Sequence, residues 1–175
     1  MKNGWKLVSV LALGVSVWLS LAVVLQARDV ENRKAAAAFE KLKALQGRWE
    51  ASMGEHRVVA TYEVVSNGTA VLERVDGHGV GGMITLYYLE GDHLALTHYC
   101  MQGNQPHMTA RIGDADSNEL HFQLSGTLGL GDAAEKHMDE VLIHFDGPGR
   151  VTQNWTEKEN GQFGHVVTLS YRRIS

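Results

Sequence analysis

The sequence predicts an all-β fold, an antiparallel up-and-down barrel of eight to ten strands, preceded by an N-terminal membrane or signal helix and a short helix. Short apolar stretches follow one another from Trp49 to the end of the chain without helical periodicity between them. Turn residues separate them, and the 175-residue chain holds 19 Gly but only 2 Pro. A long antiparallel meander closes best as a barrel, because closure removes its edge strands.

The first 27 residues are typical of an export signal. Lys2 and Lys6 precede an uncharged run over 7–27, about as long as the roughly 20 residues that a bilayer-spanning helix needs. The run is compatible both with a cleaved signal peptide and with an uncleaved anchor, in which case residues 7–27 would lie in a membrane. Both alternatives predict an exported domain in a periplasmic or other extracytoplasmic compartment.

A short helix is predicted over 28–46. Asp29 is a suitable N-cap and Gly47 a suitable terminator. We predict that this helix links the N-terminal segment to the barrel domain, residues 47–175.

Ten strands are then predicted, separated by Gly-, Asn- and Asp-containing turns. They cover residues 48–53, 55–65, 69–76, 83–90, 93–100, 106–112, 119–125, 136–145, 150–157 and 164–173. The clearest hairpin signals are Gly91-Asp92 and Asn160-Gly161.

Composition and motifs exclude several classes of function. The net charge of −4, with no basic block, argues against nucleic-acid binding. A single cysteine allows neither an intramolecular disulfide nor a cysteine-based zinc site. The sequence lacks the common hydrolase, zinc-protease, phosphate-binding and covalent-haem motifs. An enzymatic activity is therefore not indicated, and no cofactor is specified.

Several segments resemble a known group. Gly47-Arg48-Trp49, after a short helix, resembles the Gly-x-Trp opening of lipocalins and other calycins. Arg172-Arg173 resembles the basic position that covers that tryptophan in the group. The stretches 96–100 and 103–106 resemble bacterial lipocalin-like proteins of unknown function. The resemblance covers roughly residues 38–175 and implies an eight- to ten-stranded barrel that holds a small ligand.

Hairpin geometry predicts which face lines the barrel. The two-residue turn Gly91-Asp92 pairs Thr85 with His98, and a four-residue loop over 101–104 would pair His98 with His107. A one-residue slip would reverse the faces. The predicted lumen-facing candidates for ligand binding are His98, Cys100, His107, Arg111, Tyr87 and Phe122.

The last hairpin predicts an opposition of Thr156 and His165 across Asn160-Gly161. This pairing turns Trp155 outward, an unfavourable position for a tryptophan. Either the helix covers Trp155 or the register differs.

His98 and His107 are the sharpest chemical candidates. Directly opposed strand residues have Cβ atoms about 4.5–5.5 Å apart, so two neutral imidazoles could share a metal, or one could ligate haem iron. The alternative is that both lie near the rim and bond to neighbours. Arg111 would either hold an anionic head group or lie in solvent at a strand end.

Three functions follow from these observations. The first is an exported barrel that binds a small hydrophobic or amphipathic molecule. The second is a haem- or metal-binding barrel with enzymatic activity through His98 and His107. The third is a structural envelope module with a filled barrel.

Overall fold

The computed structural model describes residues 24, 26, 28–77, 80–111, 118–132 and 134–175. Within this part of the chain, helix α1 (28–43) is followed by ten strands. They are β1 (Gly47–Met53), β2 (His56–Val65), β3 (Ala70–Gly77), β4 (Val80–Glu90), β5 (His93–Tyr99), β6 (Gln105–Arg111), β7 (Glu119–Leu128), β8 (His137–Phe145), β9 (Arg150–Glu159) and β10 (Gln162–Arg173). Each strand pairs antiparallel with the next, and β10 pairs with β1. The prediction of an all-β, closed antiparallel barrel is confirmed, and the architecture is consistent with a calycin-like fold.

Nearly all of the predicted export segment, residues 1–27, lies outside the described residues. Among the helical residues that the structure does describe, no helix combines the length and the apolar character that crossing a bilayer requires.

Helix α1 and the turn after it cover one end of the barrel. The apolar side chains of Phe39, Leu42 and Leu45 are buried and belong to the same core as Trp49 of β1. Because this apolar face packs against the strands, the helix is part of the barrel core.

Trp49 joins the helix to the barrel. Its Nε1 donates a hydrogen bond to the carbonyl of Leu45 (2.6 Å), and the Arg173 guanidinium lies 4.4 Å from its ring centroid. Arg173 also donates to the carbonyls of Ala44 and Gln46 after the helix. At Gly47 a Cβ would lie 2.4 Å from the carbonyl oxygen of Ser175, so only glycine fits there.

The strand pairing of β4 and β5 matches the predicted one. Glu90 lies opposite His93, and Thr85 lies opposite His98. The turn at Asn160-Gly161 is also confirmed, with Glu159 opposite Gln162.

The predicted opposition of His98 and His107 is wrong. His107 lies opposite Thr97, and Met108 lies opposite Leu96. The reason lies in the turn: the N–H of Cys100 bonds to the carbonyl of Asn104, so the loop has three residues instead of four. Gly103 closes it with a φ of 88°, as in hairpins that end on a left-handed glycine. The slip by one residue places His107 on the outer face.

In the next hairpin, Arg111 pairs with His121 of β7. The side chain of Arg111 lies outside the described part of the structure.

The predicted register of the last hairpin holds only next to the turn. An irregularity between Phe163 and Val166 shifts the pairing, so that Val166 lies opposite Thr156 and Val167 opposite Trp155. This shift turns Trp155 into the barrel, where it is buried. A β-bulge therefore resolves the conflict that the sequence had shown at this tryptophan.

Candidate functional site

A cavity of about 170 Å³ opens at the end of the barrel opposite helix α1. Most of its surface is apolar, and Trp155, Val167 and Leu169 form one wall. The complete set of lining residues is Met53, Glu73, Val75, Met83, Thr85, His98, Cys100, Met101, Gln102, Met138, Gln153, Trp155, Glu157, Val167 and Leu169. The lining contains two carboxylates and neither Lys nor Arg, so it offers no charged partner to an anionic ligand.

A buried polar network forms the base of this cavity, with the Glu73 carboxylate at its centre. Tyr62 and Tyr87 donate to its two oxygens at 2.8 and 2.6 Å, and Gln153 Nε2 donates at 2.9 Å. Trp155 Nε1 in turn donates to Gln153 Oε1 at 2.9 Å. A fully buried carboxylate requires hydrogen-bond donors at both of its oxygens, and Glu73 has them here.

Burial is the main cause of the pKa shifts in this network. Loss of solvent raises the pKa of the Glu73 carboxyl, although the three hydrogen bonds lower it in part. Burial likewise raises the pKa of Tyr62 and Tyr87 well above the usual range, with the Glu73 charge adding to the effect. The two tyrosines therefore remain neutral donors at physiological pH.

Replacing Glu73 with Gln is expected to change how stability depends on pH. Between the ordinary value of 4.5 and the raised pKa of the folded state, the native protein holds a proton that the unfolded chain has released. The contribution of Glu73 to stability therefore falls as the pH rises through that window, and Glu73→Gln removes this contribution. Urea unfolding of both proteins at pH 4 and pH 7 measures the difference. The prediction is contradicted if the free energy of unfolding of the wild type rises relative to that of the variant as the pH rises.

His98 lies above the base, between strand β4 and Trp155. Its Nδ1 is 2.9 Å from Thr85 Oγ1, and its ring centroid is 4.6 Å from that of Trp155. Burial lowers its pKa to about 4. The imidazole is therefore neutral at physiological pH. No described residue forms a hydrogen bond with Nε2.

His107 lies on the outer surface of the barrel instead. Its Nδ1 is 2.7 Å from Ser125 Oγ and its Nε2 is 3.3 Å from a Glu90 oxygen. Because His98 and His107 lie on opposite faces of the sheet, the two imidazoles do not converge on a shared metal. Over the described residues, no group of three His, Cys, Asp or Glu side chains is placed to hold a metal ion.

The other predicted site residues divide between cavity and core. Cys100 is buried and lines the cavity, and burial raises the pKa of its thiol. Tyr87 and Phe122 are fully buried below the cavity, with ring centroids 5.9 Å apart. Tyr87 supports the base through Glu73, whereas Phe122 packs in the core.

Sequence reasoning missed Glu73, Gln153 and the four methionines that line the cavity, which are Met53, Met83, Met101 and Met138. Glu73 had a usable signal, because it alternates with Val71 and Val75 on a strand and so falls on the apolar face. The methionines had none, since their convergence depends on the register of three different strands and on the turn after β5.

A larger hollow of about 730 Å³ lies outside the barrel against β1, β9 and β10. One of its carboxylates is paired: Glu50 bonds with Arg172 at 2.7 Å and with Arg57. The Arg57 hydrogen bond lowers the pKa of Glu50. An open, mostly polar surface is a weaker candidate for a binding site than the enclosed apolar cavity.

No protein-family model matches this chain, and no curated protein matches it significantly.

Proposed function

We propose that this protein is an exported, lipocalin-like barrel that binds a compact, mostly apolar, uncharged molecule. The observation that carries the proposal is the cavity of about 170 Å³ at the open end of the barrel. The Trp49 and Arg173 arrangement at the closed end supports the lipocalin-like relationship. The basic and apolar N-terminal sequence supports export.

The size of the cavity limits the ligand. An engineered apolar cavity of roughly 150 Å³ binds benzene, so this cavity suits a single ring with a few substituents. Pockets for drug-sized molecules measure about 300–1,000 Å³, and haem or a long-chain lipid needs at least as much. The haem alternative therefore has no support from the cavity volume.

The polarity of the cavity sets the class of ligand. Apolar burial would supply most of the affinity: covering about 150 Å² at roughly 25 cal/mol/Å² gives about 4 kcal/mol before association costs. Gln153 at the base of the cavity would orient one polar group of the ligand. Without a lining cation, a carboxylate ligand would lose its hydration in the apolar cavity and find no charged partner there.

The test compares indole, phenol and benzoate as probes by ligand-observed NMR with the purified full chain. We expect the two neutral rings to bind and benzoate not to bind. Val167→Phe should fill the cavity and weaken indole binding at least about tenfold, a loss of about 1.4 kcal/mol. Val166→Phe is the matched control, because Val166 is the exposed neighbour on the same strand.

Native mass spectrometry of the same preparation complements the binding assay. A retained small mass that is lost in Val167→Phe would support the proposal and identify the ligand. Equal binding by both phenylalanine variants would place the probe elsewhere and overturn it. Failure of all probes, with no retained mass, would favour the structural-module alternative.

A further inference from the structure

Sulfur atoms are concentrated at the rim of the cavity. Four methionines and the single cysteine contribute to its lining, together with one imidazole. These residues are Met53, Met83, Met101, Met138, Cys100 and His98. They come from strands β1, β4, β5 and β8 and from the turn after β5, so the barrel closure brings them together.

Three of these donors lie next to one another. Ile84 pairs with Tyr99 as the last pair of β4 and β5, and Met83 and Cys100 are the residues next to this pair on the two chain segments. Directly opposed residues have Cβ atoms about 4.5–5.5 Å apart. His98 lies two residues before Cys100 on the same face. Met101 follows Cys100 directly, with 60% of its surface exposed at the mouth.

Core packing alone does not account for this placement. Methionine often fills irregular gaps in a core, as Met108 does here, where it is fully buried and does not line the cavity. Met53, Met83 and Met138 also pack against the core, but unlike Met108 they line the cavity as well.

The donor types determine which ion suits the rim. Thiolate and thioether sulfurs are soft ligands that select Cu(I) over hard cations, and imidazole also binds copper. His98 Nδ1 bonds with Thr85, which leaves Nε2 available as the metal-facing nitrogen. Glu157, a carboxylate of the cavity lining, is paired with Lys136 at 2.7 Å.

The charge balance also favours a monovalent ion. One Cys100 thiolate neutralises one Cu(I), whereas a divalent ion would leave a net positive charge in an apolar mouth. Because the thiol must lose its proton, binding would release one proton per ion.

We propose that the rim is a binding site for one soft monovalent metal ion, Cu(I), held by Cys100, Met83 and His98 with Met101 at the solvent side. This site does not depend on the organic ligand of the proposed function. If Cu(I) does not bind, the proposal of an organic ligand is unaffected. If no organic ligand binds, the proposal of a Cu(I) site is unaffected.

The test is an anaerobic titration of the full chain with Cu(I) in competition with bicinchoninate. We expect the titration to give one Cu(I) per chain. X-ray absorption spectroscopy should show that most of the atoms bound to the copper are sulfur. Loss of a partner outside the metal shell typically costs about 10–100-fold in affinity, so Cys100→Ser should cost more than about 100-fold. Met83→Leu preserves side-chain volume and should weaken binding at least about tenfold.

Met108→Leu is the matched control, since it removes a thioether that does not line the cavity. Circular dichroism checks that each variant is folded. The proposal is overturned if the folded wild type does not retain Cu(I) against the chelator. It is also overturned if Cys100→Ser and Met83→Leu bind as tightly as Met108→Leu, or if Zn²⁺ binds as tightly as Cu(I).

Discussion

Replacing Trp49 with Ala is expected to lower the free energy of unfolding by about 3–5 kcal/mol, the range for a large aromatic residue removed from a core. Trp49 is almost completely buried and packs edge-on against Tyr62, with ring centroids 6.4 Å apart. Its removal also leaves the Leu45 carbonyl without its indole donor and Arg173 without its aromatic partner. Urea denaturation monitored by circular dichroism measures the loss.

The two adjacent arginines provide an internal comparison for this prediction. Arg173→Gln should destabilise the fold by about 1–3 kcal/mol, because two carbonyls after the helix lose a charged donor. Arg172→Gln removes only an exposed ion pair with Glu50 and should cost less than about 1 kcal/mol. A cost below about 1 kcal/mol for Trp49→Ala would show that the helix is not anchored through this residue.

Acidification is expected to destabilise the barrel through His98, by about 3 kcal/mol in total. Burial lowers the pKa of this imidazole from 6.5 to about 4, and each pH unit of difference corresponds to about 1.36 kcal/mol. Between these two values the unfolded chain binds a proton that the native state does not bind. The contribution of His98 to stability is therefore complete above pH 6.5 and is lost progressively as the pH falls toward 4.

Comparison of unfolding free energies at pH 7 and pH 4 tests this effect. His98→Gln should show a smaller acid-dependent loss than the wild type, by about 3 kcal/mol. His107→Gln is the matched control, because His107 lies on the outer face and its replacement leaves His98 buried. If both variants lose as much stability as the wild type, burial of His98 is not the source of the acid sensitivity.

Much of the architecture could be predicted from the chain because its signals are local. Ten predicted strands correspond to ten observed strands, with ends that differ by up to three residues. The turns Gly91-Asp92 and Asn160-Gly161 were also predicted, since the preference of these residues for tight hairpins acts within a few positions.

The candidate site was harder to predict because it depends on register. A three-residue turn closed by Gly103, in place of a four-residue loop, moved His107 from the lumen to the outer face. A bulge near Phe163 places Trp155 in the cavity wall, whereas the predicted register had turned it outward. Each change involves one residue, yet each reverses the face of a functional candidate.

The sequence by itself determined the strand count, the all-β class and the inward position of His98 beside Thr85, because alternation and turn chemistry act over short distances. Only the tertiary structure decided that Glu73, Gln153 and Trp155 form the base and wall of one cavity with methionines at its rim. These residues come from strands far apart in the chain. Their convergence depends on barrel closure and on bulges that no local pattern specifies.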